Sequence, residues 1–259
     1  MLLVHGAGGG HDQGMMLGRP LAARGYRAIA VSRFGYLGTP APQNPSPQAQ
    51  ADAHVCLLDA LGVPRAAIIG ASAGAPSAMQ FAIRYPERCA ALVLLVPLAY
   101  RPRPPEERAS EPAAAMRVAL KALESDFALW SLLKVAPAVV TRTLLATPPE
   151  VLANSRPIER ERISAIRESI LPVTRRATGL HIDGAVAATL PRYQLESIHA
   201  PTLIFSLEDD LFDTYAGAQY TARHIRGARF IGFASGGHTW VGHQEEIVAE
   251  TARFMRPVS

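Results

Sequence analysis

Ala66-Ala67-Ile68-Ile69-Gly70-Ala71-Ser72-Ala73-Gly74-Ala75 is the stretch that decides the fold. Its first four residues form a short apolar run of the kind found in a strand buried on both faces of a parallel sheet. Ala75 to Tyr85 then follows a helical pattern, so Gly70 to Gly74 makes a sharp strand-to-helix turn. Gly-x-Ser-x-Gly in that setting is the nucleophile-elbow pattern, which lifts a serine hydroxyl above the sheet edge. Small residues flank the serine because the turn brings strand and helix backbones together. With 20 glycines and 14 serines in 259 residues, chance alone gives about 0.08 such strings per chain, so the flanking strand and helix carry the inference.

Working outward, the same alternation fills the first hundred residues. Leu2-Leu3-Val4, Arg27 to Val31 and Ala91 to Val96 read as strands, and Gly14 to Arg24 and Ser46 to Leu61 as helices. Strand and helix in repeated succession predict an α/β fold, a mostly parallel sheet flanked by helices. From Pro97 to about Ala200 the strand pattern stops. Met116, Leu120, Leu123, Phe127 and Trp130 form one helical stripe, expected to face a core, and Ile158, Ile163, Ile166 and Ile170 form a second. The segment opens on Arg101-Pro102-Arg103-Pro104-Pro105, which reads as an extended linker. After Pro201 the alternation resumes, with strands at Thr202 to Phe205 and Ala228 to Phe233 and helices near Ala216 to Ile225 and Gln244 to Phe254. The expected organisation is a core of residues 1–97 and 200–259 carrying a helical insertion, 98–199.

Composition narrows the class. At 49% hydrophobic and 19% charged residues, the chain is neither disordered nor a charge-rich coiled coil. The formal charge of +4 is interspersed, with the excess in the insertion, and Glu159-Arg160-Glu161-Arg162 reads as a solvated helix face. No nucleic-acid partner is expected. No apolar run approaches a membrane span and MLLVHG does not read as a signal peptide, so no membrane partner and a cytoplasmic location are expected. Cys56 and Cys89 are too few for a disulfide framework, and Cys56 is expected to be buried in its helix.

A serine hydroxyl needs a base, and the base needs a carboxylate to hold it. Glu208-Asp209-Asp210 lies just beyond the strand at Leu203 to Phe205, and Gly236-Gly237-His238 beyond the last strand. Both loops therefore sit where sites form in such sheets. His5-Gly6-Ala7-Gly8-Gly9 follows the first strand, and its Ala7 N–H, paired with the Ala73 N–H, can form an oxyanion hole. A dinucleotide reading of this loop fails, because His11 occupies the third glycine position and no acid follows at the required distance. No cofactor is expected. His5 is expected to brace its loop, His11 to be a possible substrate contact and His243 to be structural; no His pair has metal-ligand spacing.

Together these motifs resemble the α/β-hydrolase superfamily over nearly the whole chain. The features that match are the His5-Gly6-Ala7-Gly8 loop, the Gly35-Tyr36 turn with Thr39, the Ser72 elbow, Pro86-Glu87-Arg88, the Pro201-Thr202 strand with its acidic loop, and Gly237-His238, in the family's order of serine, acid and histidine. The resemblance implies a serine hydrolase whose insertion acts as a cap. Members usually carry two strands before the His-Gly loop, so the sheet is expected to have a shortened edge or to lack an upstream segment. Leu207 stands where many members have glycine, and family spacing favours Asp210 as the acid with Asp209 as runner-up. Ser72, His238 and Asp210 are thus the expected triad for a small-molecule carboxylic ester. Carbon-carbon hydrolysis of a diketone-like or ring-cleavage product is the alternative within the same chemistry, and a non-catalytic binder on the same fold is the alternative outside it. Dehalogenase and epoxide hydrolase readings need an aspartate where Ser72 stands.

Overall fold

The computed structural model describes residues 1–102 and 125–256. Six strands pair in parallel: β1 (Leu2–Val4), β2 (Ile29–Val31), β3 (Ala66–Ala71), β4 (Cys89–Leu95), β5 (Thr202–Leu207) and β6 (Arg229–Phe233), in the spatial order β2-β1-β3-β4-β5-β6. Leu3 stands opposite both Ala30 and Ile69, Ile69 opposite Val93, and Val93 opposite Leu203. The helices among the described residues are α1 (His11–Ala22), α2 (Pro47–Ala60), α3 (Ala75–Arg84), α4 (Asp126–Val135), α5 (Pro137–Thr143), α6 (Pro149–Ala153), α7 (Pro157–Glu168), α8 (Ala177–Thr189), α9 (Thr214–His224) and α10 (Gln244–Phe254).

Alternate strand residues divide between the two faces of the sheet. Leu2, Val4, Ile68, Leu92 and Ile204 pack with Leu58, Phe81 and Ala218 from α2, α3 and α9. Leu3, Ile69, Val93, Leu203 and Phe205 pack with Leu21 and Ile247 from α1 and α10. Both faces are dry, which is why the strands read as unbroken apolar runs, and each fully buried aliphatic side chain contributes about 2 kcal/mol over an exposed one. Helix α1 begins three residues before the expected Gly14. Gly14 and Gly18 lie inside it as close-packing positions: a Cβ on Gly18 would stand 2.5 Å from Leu3 Cδ1, and one on Gly14 would stand 3.0 Å from Ala30 Cβ. Helix α2 starts where Ser46 Oγ accepts the Ala49 N–H at 3.2 Å and Pro47 takes the first turn.

The chain passes from β1 to β2 on one side and then to β3 on the other. That reversal opens a crevice beyond the carboxyl ends of β1 and β3, the position where α/β sheets bind ligands. Above this end lie α4 to α8, with an apolar cluster of their own built from Leu129, Leu145, Ile163, Ile170 and Val173 against Val241.

Some expectations fall outside the described residues and others are corrected. Met116, Leu120 and Leu123 lie outside the described residues, as do Arg103 to Pro105. Of the rest of that stripe, Phe127 is 75% and Trp130 48% exposed, and the core residue of α4 is Leu129. Ile158 is also exposed, whereas Ile163 is fully buried. Glu159 and Arg162 do not form a solvated face: both are largely buried and paired at 2.7 Å. Cys56 is exposed on α2. Among the described residues no helix is long and apolar enough to cross a membrane, and no group of three His, Cys, Asp or Glu side chains is placed to hold a metal ion.

Candidate active site

Ser72 stands at the end of β3 with φ +48°, a left-handed conformation that costs a non-glycine residue about 1–2 kcal/mol. The turn is possible because its neighbours carry little or no side chain. A Cβ on Gly74 would lie 2.5 Å from Val4 O and 2.6 Å from His5 O, and one on Gly70 would lie 2.7 Å from Ala78 Cβ. The elbow is thereby pressed against the end of β1, and Ser72 O accepts the Leu98 N–H at 3.0 Å.

Ser72 Oγ lies 2.8 Å from His238 Nε2, and His238 Nδ1 lies 2.7 Å from Asp210 Oδ2. An ionised carboxylate only accepts, so Nδ1 carries the proton and Nε2 is free to accept from the serine hydroxyl. Asp210 is buried and further held by the Thr214 hydroxyl and by the Phe212 N–H at 2.9 Å. Asp209 has a different task. Its two oxygens accept the N–H groups of Gly236 and Gly237 at 3.0 and 2.8 Å, fixing the loop that carries His238.

The His5 to Gly10 loop closes the other side. A Cβ on Gly6 would approach Ser72 Cβ to 3.1 Å, so the loop backbone runs directly beside the serine. Ala73 lies in the first turn of the short 3-10 helix at Ser72–Gly74, where an N–H has no partner within the helix. His5 is buried; its Nε2 accepts the Arg33 N–H at 3.0 Å, so its Nδ1 is the donor to Gly6 O at 2.7 Å. Burial, and next the charge of Arg33, hold this imidazole well below its usual pKa. It is a neutral brace. His11, expected as a possible substrate contact, pairs its Nδ1 with Ser32 Oγ at 3.1 Å in an exposed position and is not among the residues that line the cavity. His243 caps α10, with Nε2 donating to Ser235 O at 3.0 Å.

The pair Ser72 and His238 faces a cavity of about 280 Å³. Its walls are mainly apolar, with Leu17 from α1, Ile166 and Ile170 from α7 and the following turn, Leu180 from α8 and Trp240 from the histidine loop. Arg162 reaches the same wall, donating to Glu159 Oε2 and to Thr239 O at 2.8 Å.

Sequence patterns gave no sign of several residues that shape this site. Ala146 O accepts both the Leu211 N–H at 3.1 Å and the His238 N–H at 3.2 Å, linking the acid and histidine loops. Thr147 Oγ1 lies 2.9 Å from Thr239 Oγ1. Arg33, Tyr36 and Asp183 form a buried cluster behind the His5 loop. Of these only Tyr36 stands in a motif that the sequence offered, the Gly35-Tyr36 turn; its contact with Asp183, like that of Arg33, has no local signature because the partner lies far away in the chain.

The α/β-hydrolase fold family model matches residues 1–241. An uncharacterized hydrolase of Bacillus subtilis, YcgS, is 30% identical over 258 residues, covering 91% of this chain and 82% of that protein. A 2-hydroxymuconate semialdehyde hydrolase of Pseudomonas putida is 34% identical over 102 residues, 36% of this chain and 34% of that one. Among solved structures, an α/β-hydrolase fold protein of Nakamurella multipartita superposes with a TM-score of 0.75 at 27% identity, covering 98% of this chain and 91% of that one.

Proposed function

The chain belongs to the α/β-hydrolase family, and from that premise we propose that it is a cofactor-free serine hydrolase of small carboxylic esters. The observation that carries this is the Ser72–His238–Asp210 relay, at 2.8 and 2.7 Å, opening on an apolar cavity. As Ser72 Oγ attacks the ester carbonyl, His238 Nε2 takes its proton and Asp210 stabilises the imidazolium. The N–H groups of Ala7 and Ala73 hold the oxyanion. His238 returns the proton to the leaving alcohol, and a water activated by the same imidazole hydrolyses the acyl-enzyme. Helices α4 to α8 act as the cap, and the apolar walls suit a short to medium acyl or aryl group.

A p-nitrophenyl ester chain-length series on wild type and Ser72→Ala, with fluorophosphonate labelling, is the test. Turnover and labelling that both vanish in Ser72→Ala support the proposal. Unchanged turnover in Ser72→Ala refutes it, and a wild type that neither labels nor turns over points to a binding protein on the same fold.

Carbon-carbon hydrolysis is the second reading. It draws support from the similarity to the P. putida hydrolase. Faster turnover of a ring-cleavage dienoate than of any ester in the series would favour it.

A further inference from the structure

We infer that Arg33, locked by Asp183 of α8, is the positioning residue that aims the Ala7 N–H at the oxyanion, so that the helices above the sheet govern transition-state binding as well as cover the cavity. The inference rests on the serine-hydrolase reading. A trans peptide points its C=O and N–H in opposite directions, so whatever holds Gly6 O also sets the direction of the Ala7 N–H. Gly6 O accepts from His5 Nδ1 at 2.7 Å, from Arg33 Nη2 at 3.2 Å and from the Gly9 N–H at 3.3 Å. Arg33 also donates Nε to His5 O at 2.9 Å and its backbone N–H to His5 Nε2 at 3.0 Å. One arginine thus touches the two carbonyls before Ala7 and the imidazole that shares their load.

Arg33 is itself fixed. Its Nη1 and Nη2 bind Asp183 Oδ1 and Oδ2 at 2.6 and 2.7 Å, with both side chains 8% exposed. That two-point grip sets the plane of the guanidinium. The Tyr36 hydroxyl donates to the same carboxylate and accepts the Gly8 N–H at 3.3 Å, a second thread from Asp183 to the loop. A buried ion pair is poorly explained as a source of stability, since an apolar pair of similar volume commonly does as well. Its value here is directional.

The test is Asp183→Asn, read with p-nitrophenyl butyrate for kcat and KM, with an aryl trifluoromethyl ketone whose Ser72 adduct bears the oxyanion, and with butyrate as a ground-state ligand. Expected is a loss of about 10- to 100-fold in kcat and a similar loss in ketone affinity, with KM and butyrate binding within about twofold of wild type. A folded variant with unchanged kcat, or one in which only KM rises, overturns the inference. Should Asp183→Asn not fold, Tyr36→Phe removes only the hydroxyl thread; a loss of about fivefold in kcat and ketone affinity is expected, and no loss overturns it. A wild type without Ser72-dependent turnover overturns the serine-hydrolase reading, and this inference with it. That outcome is distinct from an active enzyme indifferent to Asp183.

Discussion

Gly74→Ala asks whether the close approach of the elbow to β1 is what permits the turn. Gly74 has φ −80° and ψ −19°, a right-handed conformation open to any residue. Alanine would therefore strain no torsion and would gain about 0.5–1 kcal/mol by restricting the unfolded chain and favouring the helix. Against this, the new Cβ would stand 2.5 Å from Val4 O and 2.6 Å from His5 O, about 0.8 Å inside an ordinary carbon-oxygen contact. Neither oxygen can retreat easily. β1 is paired on both sides by β2 and β3, and His5 O is held by Arg33 Nε at 2.9 Å. Forcing such an overlap costs about 3 kcal/mol, so the net change is about 2 kcal/mol of destabilisation. For a chain of this size that is about 4–8 °C in apparent Tm. Differential scanning calorimetry beside Gly38→Ala, whose Cβ would meet nothing within 4 Å, isolates the steric contribution. Displacement of Ser72 from the His5 loop should also slow fluorophosphonate labelling by about tenfold or more. A Gly74→Ala protein with wild-type Tm and labelling rate would refute the reasoning.

The two neighbouring acids should separate cleanly. Asp210→Asn is expected to lose about 10⁴ in turnover through the wrong imidazole tautomer, and Asp209→Asn about tenfold through a loosened histidine loop; kcat in the opposite order would overturn both roles. Stability should fall with acid. Burial, and next the Arg33 charge, hold His54 down to about 3 and His5 well below the usual 6.5. Unfolded imidazoles take up protons near that value while the folded ones do not. Stability is then full above about pH 6.5 and falls towards pH 3, by up to about 1.4 kcal/mol per pH unit for each histidine. Urea midpoints should drop between about pH 7 and pH 5, less steeply in His54→Gln, and a flat profile would contradict this. Burial pushes the Cys89 thiol up to about 12, whereas Cys56 is exposed. One thiol per native chain should react promptly with Ellman's reagent and two after denaturation; two fast thiols would place Cys89 wrongly.

The sheet was legible because strands buried on both faces announce themselves as unbroken apolar runs, as Ile68-Ile69 and Leu92 to Leu95 do. The positions of Ser72, Asp210 and His238 were legible for a related reason. Ser72 and Asp210 each follow such a run and His238 follows the half-exposed edge strand β6, so the ladder of strands delivers all three to one end of the sheet. Helix packing above the sheet was harder to read. In α4 the apolar residues are so dense that a stripe through Phe127 and Trp130 looks as good as one through Leu129, and only the neighbours decide which faces inward. Glu159 and Arg162 are three residues apart on one face of α7, and alternating charge there says nothing of the Thr239 and Gly242 backbone that covers them. The partnership of Arg33 with Asp183 spans 150 residues and has no local signature.

The parallel order of the sheet also bears on how the protein is made. β4 carries Leu92 to Leu95, wholly buried in the finished molecule, and its partner on the far side is β5, which begins at Thr202. At about 5–20 residues per second, the ribosome needs roughly 5–20 s to supply the chain between them. Throughout that interval the side of β4 that will face β5, Leu92 to Leu95, has no strand yet synthesised to pair with. Yield in a cell therefore depends on how well that edge is shielded while the α4 to α8 region emerges, and slowing translation just after Leu95 would cost more soluble protein than the same pause after Leu207.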